Sequence, residues 1–150
     1  MELGIDKHPT SEEEPSSPLR VLQVEDEAPL RAVLGRSLAT LGINFESASN
    51  GREAISLFEG TASPFNVLLT DYDMPGMNGA ELIRELKKRN PDLISILLSG
   101  RDSDDSDIQE TLGGIVNDYY LQKPTSLDAL QQVADAAKIT LEERERAHGV

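Results

Sequence analysis

Four short stretches of this chain carry residue types that could hold a divalent cation and transfer a phosphoryl group. Glu25-Asp26-Glu27 is a run of carboxylates. Val67-Leu68-Leu69-Thr70 delivers a single acid, Asp71, into the Tyr72-Asp73-Met74-Pro75-Gly76-Met77-Asn78-Gly79 loop. Ser99-Gly100 and Lys123-Pro124 supply a hydroxyl and an ammonium. Carboxylates crowded together repel, and one is driven to protonate unless a cation intervenes. All-oxygen ligation with few protein donors suits Mg²⁺, which keeps several waters and also binds phosphate oxygens. A carboxylate beside such an ion is a usable nucleophile towards phosphorus. Lys123 could pair with the transferred group as a mobile point charge, and Ser99 could donate a hydrogen bond to it. Positioning, a metal and charge neutralisation are what phosphoryl transfer requires.

The elements around these residues must bring them together. Leu19–Val24 is a short strand that ends at the acidic run. Helical spacing of Leu30, Val33, Leu34, Leu38 and Leu41 predicts a helix starting at Pro29 and stopped at Gly42. Ile43–Ala48 is a second strand, and Ala54, Ile55 and Phe58 mark a short helix. Val67–Leu69 suits a third strand buried on both faces, broken by Pro75 and the glycines. Leu82, Ile83 and Leu86 give a third helix ended by Asn90-Pro91. Leu93–Leu98 is a fourth strand running into Ser99.

The stretch from Asp102 to Asp107 offers several N-caps for a short helix around Ile108–Leu112. The adjacent Gly113 and Gly114 weaken helix thereafter, so 113–117 reads as irregular. Tyr119–Gln122 is a fifth strand. Thr125 or Ser126 caps a last helix with Leu127, Leu130, Val133, Ala134, Ala137 and Leu141 on one face. Strands alternating with helices imply a parallel sheet with helices on both faces, an α/β three-layer sandwich. The flavodoxin-like strand order 2-1-3-4-5 makes strands 1 and 3 neighbours and brings Glu25, Asp26 and Asp71 to one sheet edge.

Composition narrows the classes. The chain has 150 residues, no cysteine, no tryptophan and 27 acids against 14 bases, a formal net charge of −13. Disulfides and thiolate metal sites are excluded. The acidity argues against nucleic-acid binding and against docking on anionic membranes. No apolar run approaches a membrane span and the acidic N-terminus is no signal peptide, so the expected setting is cytoplasmic. The Glu/Ser/Pro-rich residues 1–18 read as a disordered acidic tail. Residues 19–140 form the folded domain, and 141–150 a charged helical extension or tail. His8 and His148 lie in the tails without acidic partners, and no dinucleotide fingerprint or P-loop is present.

With these residues in this order, the sequence resembles the receiver domain of two-component response regulators over about Leu19 to Lys138. The resemblance implies that Asp71 accepts a phosphoryl group from a phosphohistidine on a sensor histidine kinase or histidine phosphotransfer protein. It implies Mg²⁺ as cofactor, ligated by Asp26, Asp71 and the Asp73 carbonyl, with Glu25 acting largely through water. Lys123 and Ser99 would contact the phosphoryl group, and a cis peptide is admitted at Lys123–Pro124. Ser99 and Tyr120 correspond to the family's switch pair, which reshapes the face of helix 4, strand 5 and helix 5. Asp73 and Arg101, each two residues past a key position, would tune the phosphoryl lifetime. The expected protein is a stand-alone switch or relay, monomeric or weakly dimeric, whose only chemistry is its own phosphorylation and dephosphorylation.

Two rivals stand beside this reading. Asp71-Tyr72-Asp73 after an apolar run also resembles the first motif of haloacid-dehalogenase-type phosphohydrolases. That family needs a second acidic motif on a strand end after the lysine. Here only Asp128 and Asp135 follow Lys123 closely, both within a helix, and there is no room for a cap domain. The other rival is an interaction module with this fold and no phosphorylation.

Overall fold

The computed structural model describes residues 19–102, 104–114 and 118–148; the expected tail 1–18 lies outside them. Five strands, β1 (Arg20–Val24), β2 (Asn44–Ala48), β3 (Val67–Asp71), β4 (Ile94–Ser99) and β5 (Tyr119–Gln122), form one parallel sheet in the order 2-1-3-4-5. Helices α1 (Ala28–Thr40), α2 (Gly51–Gly60), α3 (Gly79–Arg89), α4 (Ser106–Leu112) and α5 (Leu127–His148) cover its two faces. The flavodoxin-like architecture expected from the alternation is the one observed.

Burial follows position in the sheet. Every residue of β3 and β4 is buried, as central parallel strands covered on both faces require. Edge strand β2 instead exposes Asn44 and Glu46. One apolar cluster, with Leu22, Leu68, Leu82, Ile83, Leu86 and Leu97, holds α3 and α4 on one face. The other, with Val21, Leu69, Ile94, Leu98, Leu130 and Ala137, holds α1 and α5.

The helix starts follow local chemistry. Asn78 and Glu81 form a reciprocal capping box at α3, and Lys87, Lys88 and Arg89 lie in its last turn, where cations oppose the helix dipole. Asp105 caps α4, and α4 ends at Gly113, whose φ of 58° is the left-handed conformation glycine adopts without penalty. Gly114 also has positive φ, while 115–117 of the expected irregular stretch lie outside the described residues. Ser126 Oγ accepts a hydrogen bond from the Ala129 N–H, capping α5, which continues through the charged segment to His148.

The apolar stripe of α1 is only partly covered: Leu34 and Leu38 are buried, but Leu30 and Val33 are 43% and 51% exposed. The first turns of α1 border an open groove of about 410 Å³ shared with Lys123, Pro124 and Thr125 instead of packing on the sheet. Among the described residues, no helix is long and apolar enough to cross a membrane.

Candidate functional site

Register brings the acids together. β1 and β3 pair with Val24 opposite Thr70, so the residues that follow, Glu25 and Asp71, leave the sheet side by side. Ligand oxygens of Glu25, Asp26 and Asp71 all lie within 4.8 Å of one another. Glu25 and Asp71 are buried, at 1% and 3% exposure, and Asp26 is half-buried.

Burial pushes the Asp71 carboxyl above the usual aspartate range, with Lys123 opposing the rise and Asp26 and Asp73 adding to it. Burial likewise raises Glu25, offset in part by the Glu27 N–H that donates to it at 3.1 Å. Lys123 Nζ lies 2.7 Å from Asp71 Oδ1 and 3.4 Å from Glu25 Oε1. Burial would lower its ammonium, but the two carboxylates outweigh that and hold it above the ordinary lysine range. The Asp71 contact is an ion pair made at the buried Oδ1.

These features fit Mg²⁺: three carboxylates in reach of one ion, no nitrogen or sulfur ligand, and a buried oxygen with an unused lone pair. The cluster contains like charges that a divalent cation would neutralise, which is the chemistry expected from the residue types alone.

The other expected residues surround the cluster. Ser99, fully buried at the end of β4, accepts a hydrogen bond on Oγ from the Arg101 N–H at 3.0 Å. The Tyr120 hydroxyl donates to the Arg101 carbonyl, and its ring packs partly buried against the α3–α4 core. Ser99 and Tyr120 therefore hold one residue, on opposite sides of its backbone. The Arg101 guanidinium lies 3.2 Å from Asp73 Oδ1, is within ion-pair reach of Asp105 and Asp107, and rests over the Tyr72 ring. Its bond to Asp73 raises its pKa. The Lys123–Pro124 peptide is cis.

The contacts of three further residues around the site escaped the sequence reading. Gly79 opens α3 against the end of β3, and a Cβ there would lie 2.3 Å from the Asp71 carbonyl oxygen. A glycine at the first position of a capped helix, where alanine favours helix, was the available signal. Arg31 donates from Nη1 to the Glu25 carbonyl at 2.7 Å, and buried Gln23 donates to the Arg31 carbonyl at 3.2 Å. Neither contact has a sequence signature, because each joins the end of β1 to α1 through tertiary packing.

Comparison with known proteins agrees with this geometry. A family model described as the response regulator receiver domain matches residues 21–135. The response regulator MprA of Mycolicibacterium vanbaalenii is 37% identical over 115 residues, covering 75% of this chain and 47% of MprA. The chain thus spans about half the length of that relative. The response regulator TrrA of Thermotoga maritima, solved in complex with Mg²⁺–BeF, superposes with a TM-score of 0.67 at 29% identity, over 79% of this chain and 98% of TrrA. A CheY-like receiver protein of Methanospirillum hungatei shares the fold with a TM-score of 0.76 at 24% identity, over 85% of this chain and 99% of its own. Acid order before the central aspartate, sheet topology and family match converge: the chain belongs to the response regulator receiver domain family of two-component signal transduction.

Proposed function

We propose that this domain is a phosphorelay switch that accepts a phosphoryl group on Asp71 from a histidine kinase or histidine phosphotransfer partner. The observation that carries this reading is Asp71 itself: buried, paired with Lys123, and within ligand reach of Glu25 and Asp26. In the transfer the P–N bond to the donor imidazole breaks as a P–O bond to an Asp71 oxygen forms. Lys123 pairs with the anionic phosphoryl oxygens, and the Ser99 hydroxyl leaves the Arg101 N–H to donate to one of them. Asp26, Asp71 and the Asp73 carbonyl would hold Mg²⁺, with Glu25 acting mostly through water. When bound, that ion neutralises charge on the phosphoryl oxygens. The readout is the α4–β5–α5 face, changed through Ser99 and Tyr120 and read by a downstream protein, with the domain monomeric or weakly dimeric in the cytoplasm. No phosphohydrolase cycle is proposed, since the acids precede Asp71 and no acidic strand end follows Lys123.

Incubation with a small acyl phosphate and Mg²⁺ should add one acid-stable, base-labile phosphate, and peptide mapping should place it on Asp71. Mapping to any other residue overturns the assignment.

The Arg101–Asp73 pair links the β3–α3 and β4–α4 loops. Both partners are well exposed, so the pair adds little stability. Its role is to restrict water. Arg101→Ala should shorten the half-life of the Asp71 phosphoryl group by a few fold, read as decay of the label; an unchanged half-life removes Arg101 from this role.

A further inference from the structure

Three acids in succession at a strand end make an unstable turn. Glu25, Asp26 and Glu27 repel one another, and Glu27, at the N-cap of α1, makes no side-chain capping bond. The Asp26 carboxylate must nonetheless stay within reach of Asp71, which belongs to a different strand. Something outside the turn must hold it.

That hold is a staple through Arg31, half-buried in the first turn of α1. Its Nη1 donates to the Glu25 carbonyl at 2.7 Å, a bond strengthened by the donor's charge. Its own N–H donates to the Glu27 carbonyl at 2.9 Å. Its carbonyl accepts from Nε2 of Gln23, a fully buried residue of β1 that also donates to Ser47 Oγ at 2.7 Å. The turn is thus gripped on both sides of Asp26 by one residue, which β1 in turn anchors from beneath. On the β2 side, the Glu25 N–H donates to the Ala48 carbonyl and completes the frame.

We infer that Arg31 is a positioning residue of the metal centre: it holds the Glu25–Glu27 turn so that Asp26 stays preorganised beside Asp71. Arg31 touches neither the metal nor the phosphoryl group. The inference rests on the Mg²⁺ site proposed above, but not on the identity of the phosphorylated residue.

Charge and geometry predict opposite signs here. Arg31 is a cation near a cation site, so deleting it should tighten Mg²⁺ binding if charge alone mattered. If the staple matters, deletion loosens the turn and weakens binding, as losing an outer-shell partner of a metal ligand does.

The test is Mg²⁺ titration of the whole chain, followed by intrinsic tyrosine fluorescence or amide shifts, in wild type, Arg31→Met, Arg31→Lys and Arg20→Met. Arg20 removes the same charge and also carries several side-chain bonds, to Glu46, Thr61 and Ser63, but next to the start of β1, at the opposite end of the sheet. Arg31→Met should weaken Mg²⁺ affinity about ten-fold, with Arg31→Lys between it and wild type and Arg20→Met unchanged. Amide exchange at Asp26 and Glu27 should quicken in Arg31→Met and stay as in wild type in Arg20→Met. Unchanged or tighter Mg²⁺ binding in Arg31→Met overturns the staple, as does an equal loss in Arg20→Met. Should Arg31→Met fail to fold, Arg31→Lys decides: wild-type affinity and exchange overturn the proposal. Asp26→Ala controls for the site, since failure of that variant to lose Mg²⁺ would reject the metal centre itself.

Discussion

Asp71→Asn should abolish phosphoryl incorporation and, in the metal-free protein, raise the melting temperature. The two effects have one cause. Asp71 is 3% exposed, and burial holds its carboxyl above the ordinary range. The site therefore disfavours the very charge that makes Asp71 nucleophilic. The amide keeps the shape, loses the nucleophile and removes the buried charge. With a raised folded-state pKa, the native chain binds its proton more tightly than the unfolded chain does. The stability this proton confers is present at low pH and is lost as pH rises through the folded-state pKa. At pH 7 neutralisation should thus stabilise the metal-free fold by on the order of 1 kcal/mol, or about 3 °C. The gain should shrink as pH falls through the folded-state pKa and the wild-type carboxyl takes up its proton. Thermal melts of both proteins across that range, with EDTA present, measure the difference directly, including the response of Glu25 and Lys123, whose titrations are tied to the Asp71 charge. A variant less stable than wild type at pH 7 would show that Lys123 more than offsets the burial. Label on the variant equal to wild type would remove Asp71 from its role.

The second large effect is expected at Gly79, a residue with no chemistry of its own. An added Cβ would lie 2.3 Å from the Asp71 carbonyl oxygen and 3.0 Å from both its carbonyl carbon and Leu97 Cδ1. Backbone cannot swing aside as a side-chain tip can, so α3 or the end of β3 must shift. The Gly79 N–H also donates to the Tyr72 carbonyl at 2.9 Å, tying the helix start to the loop that follows Asp71. Gly79→Ala should cost about 2–3 kcal/mol of stability by overpacking. It should also slow acyl-phosphate labelling on the order of 100-fold by displacing Asp71 from Lys123 and the acidic pair. Gly60→Ala is the matched control, because nothing lies within 4 Å of a Cβ there. Urea unfolding and labelling rates of the two variants separate the cases. Equal behaviour of both would mean that the β3–α3 junction yields without consequence.

How much of this was legible beforehand depends on the range of the interaction. The central strands could be read because burial on both faces demands the apolar runs Val67–Leu69 and Ile96–Leu98. The acids could be read because strand order 2-1-3-4-5 carries the ends of β1 and β3 to one edge whatever the details of packing. Helical periodicity was less faithful. Leu30 and Val33 share a stripe with Leu34 and Leu38, yet they border a groove beside Lys123 and Pro124, because spacing records which residues share a helix face and not how far the covering layer extends.

By itself, then, the sequence determined the parallel α/β sandwich, the family, and the residues Glu25, Asp26, Asp71, Ser99 and Lys123 as one group. Each ends a strand or follows one within two residues, and strand ends are placed by local pattern plus topology. Only the tertiary structure decided that Ser99 and Tyr120 share Arg101, that Arg101 reaches Asp73, that Gly79 lies against the Asp71 carbonyl, and that Arg31 grips the acidic turn. The contacts of Arg101 with Tyr120 and Asp73 join residues far apart in the chain, and even the short-range grip of Arg31 needs α1 docked against β1. No periodicity or spacing encodes the distance between such groups. Close packing alone sets it.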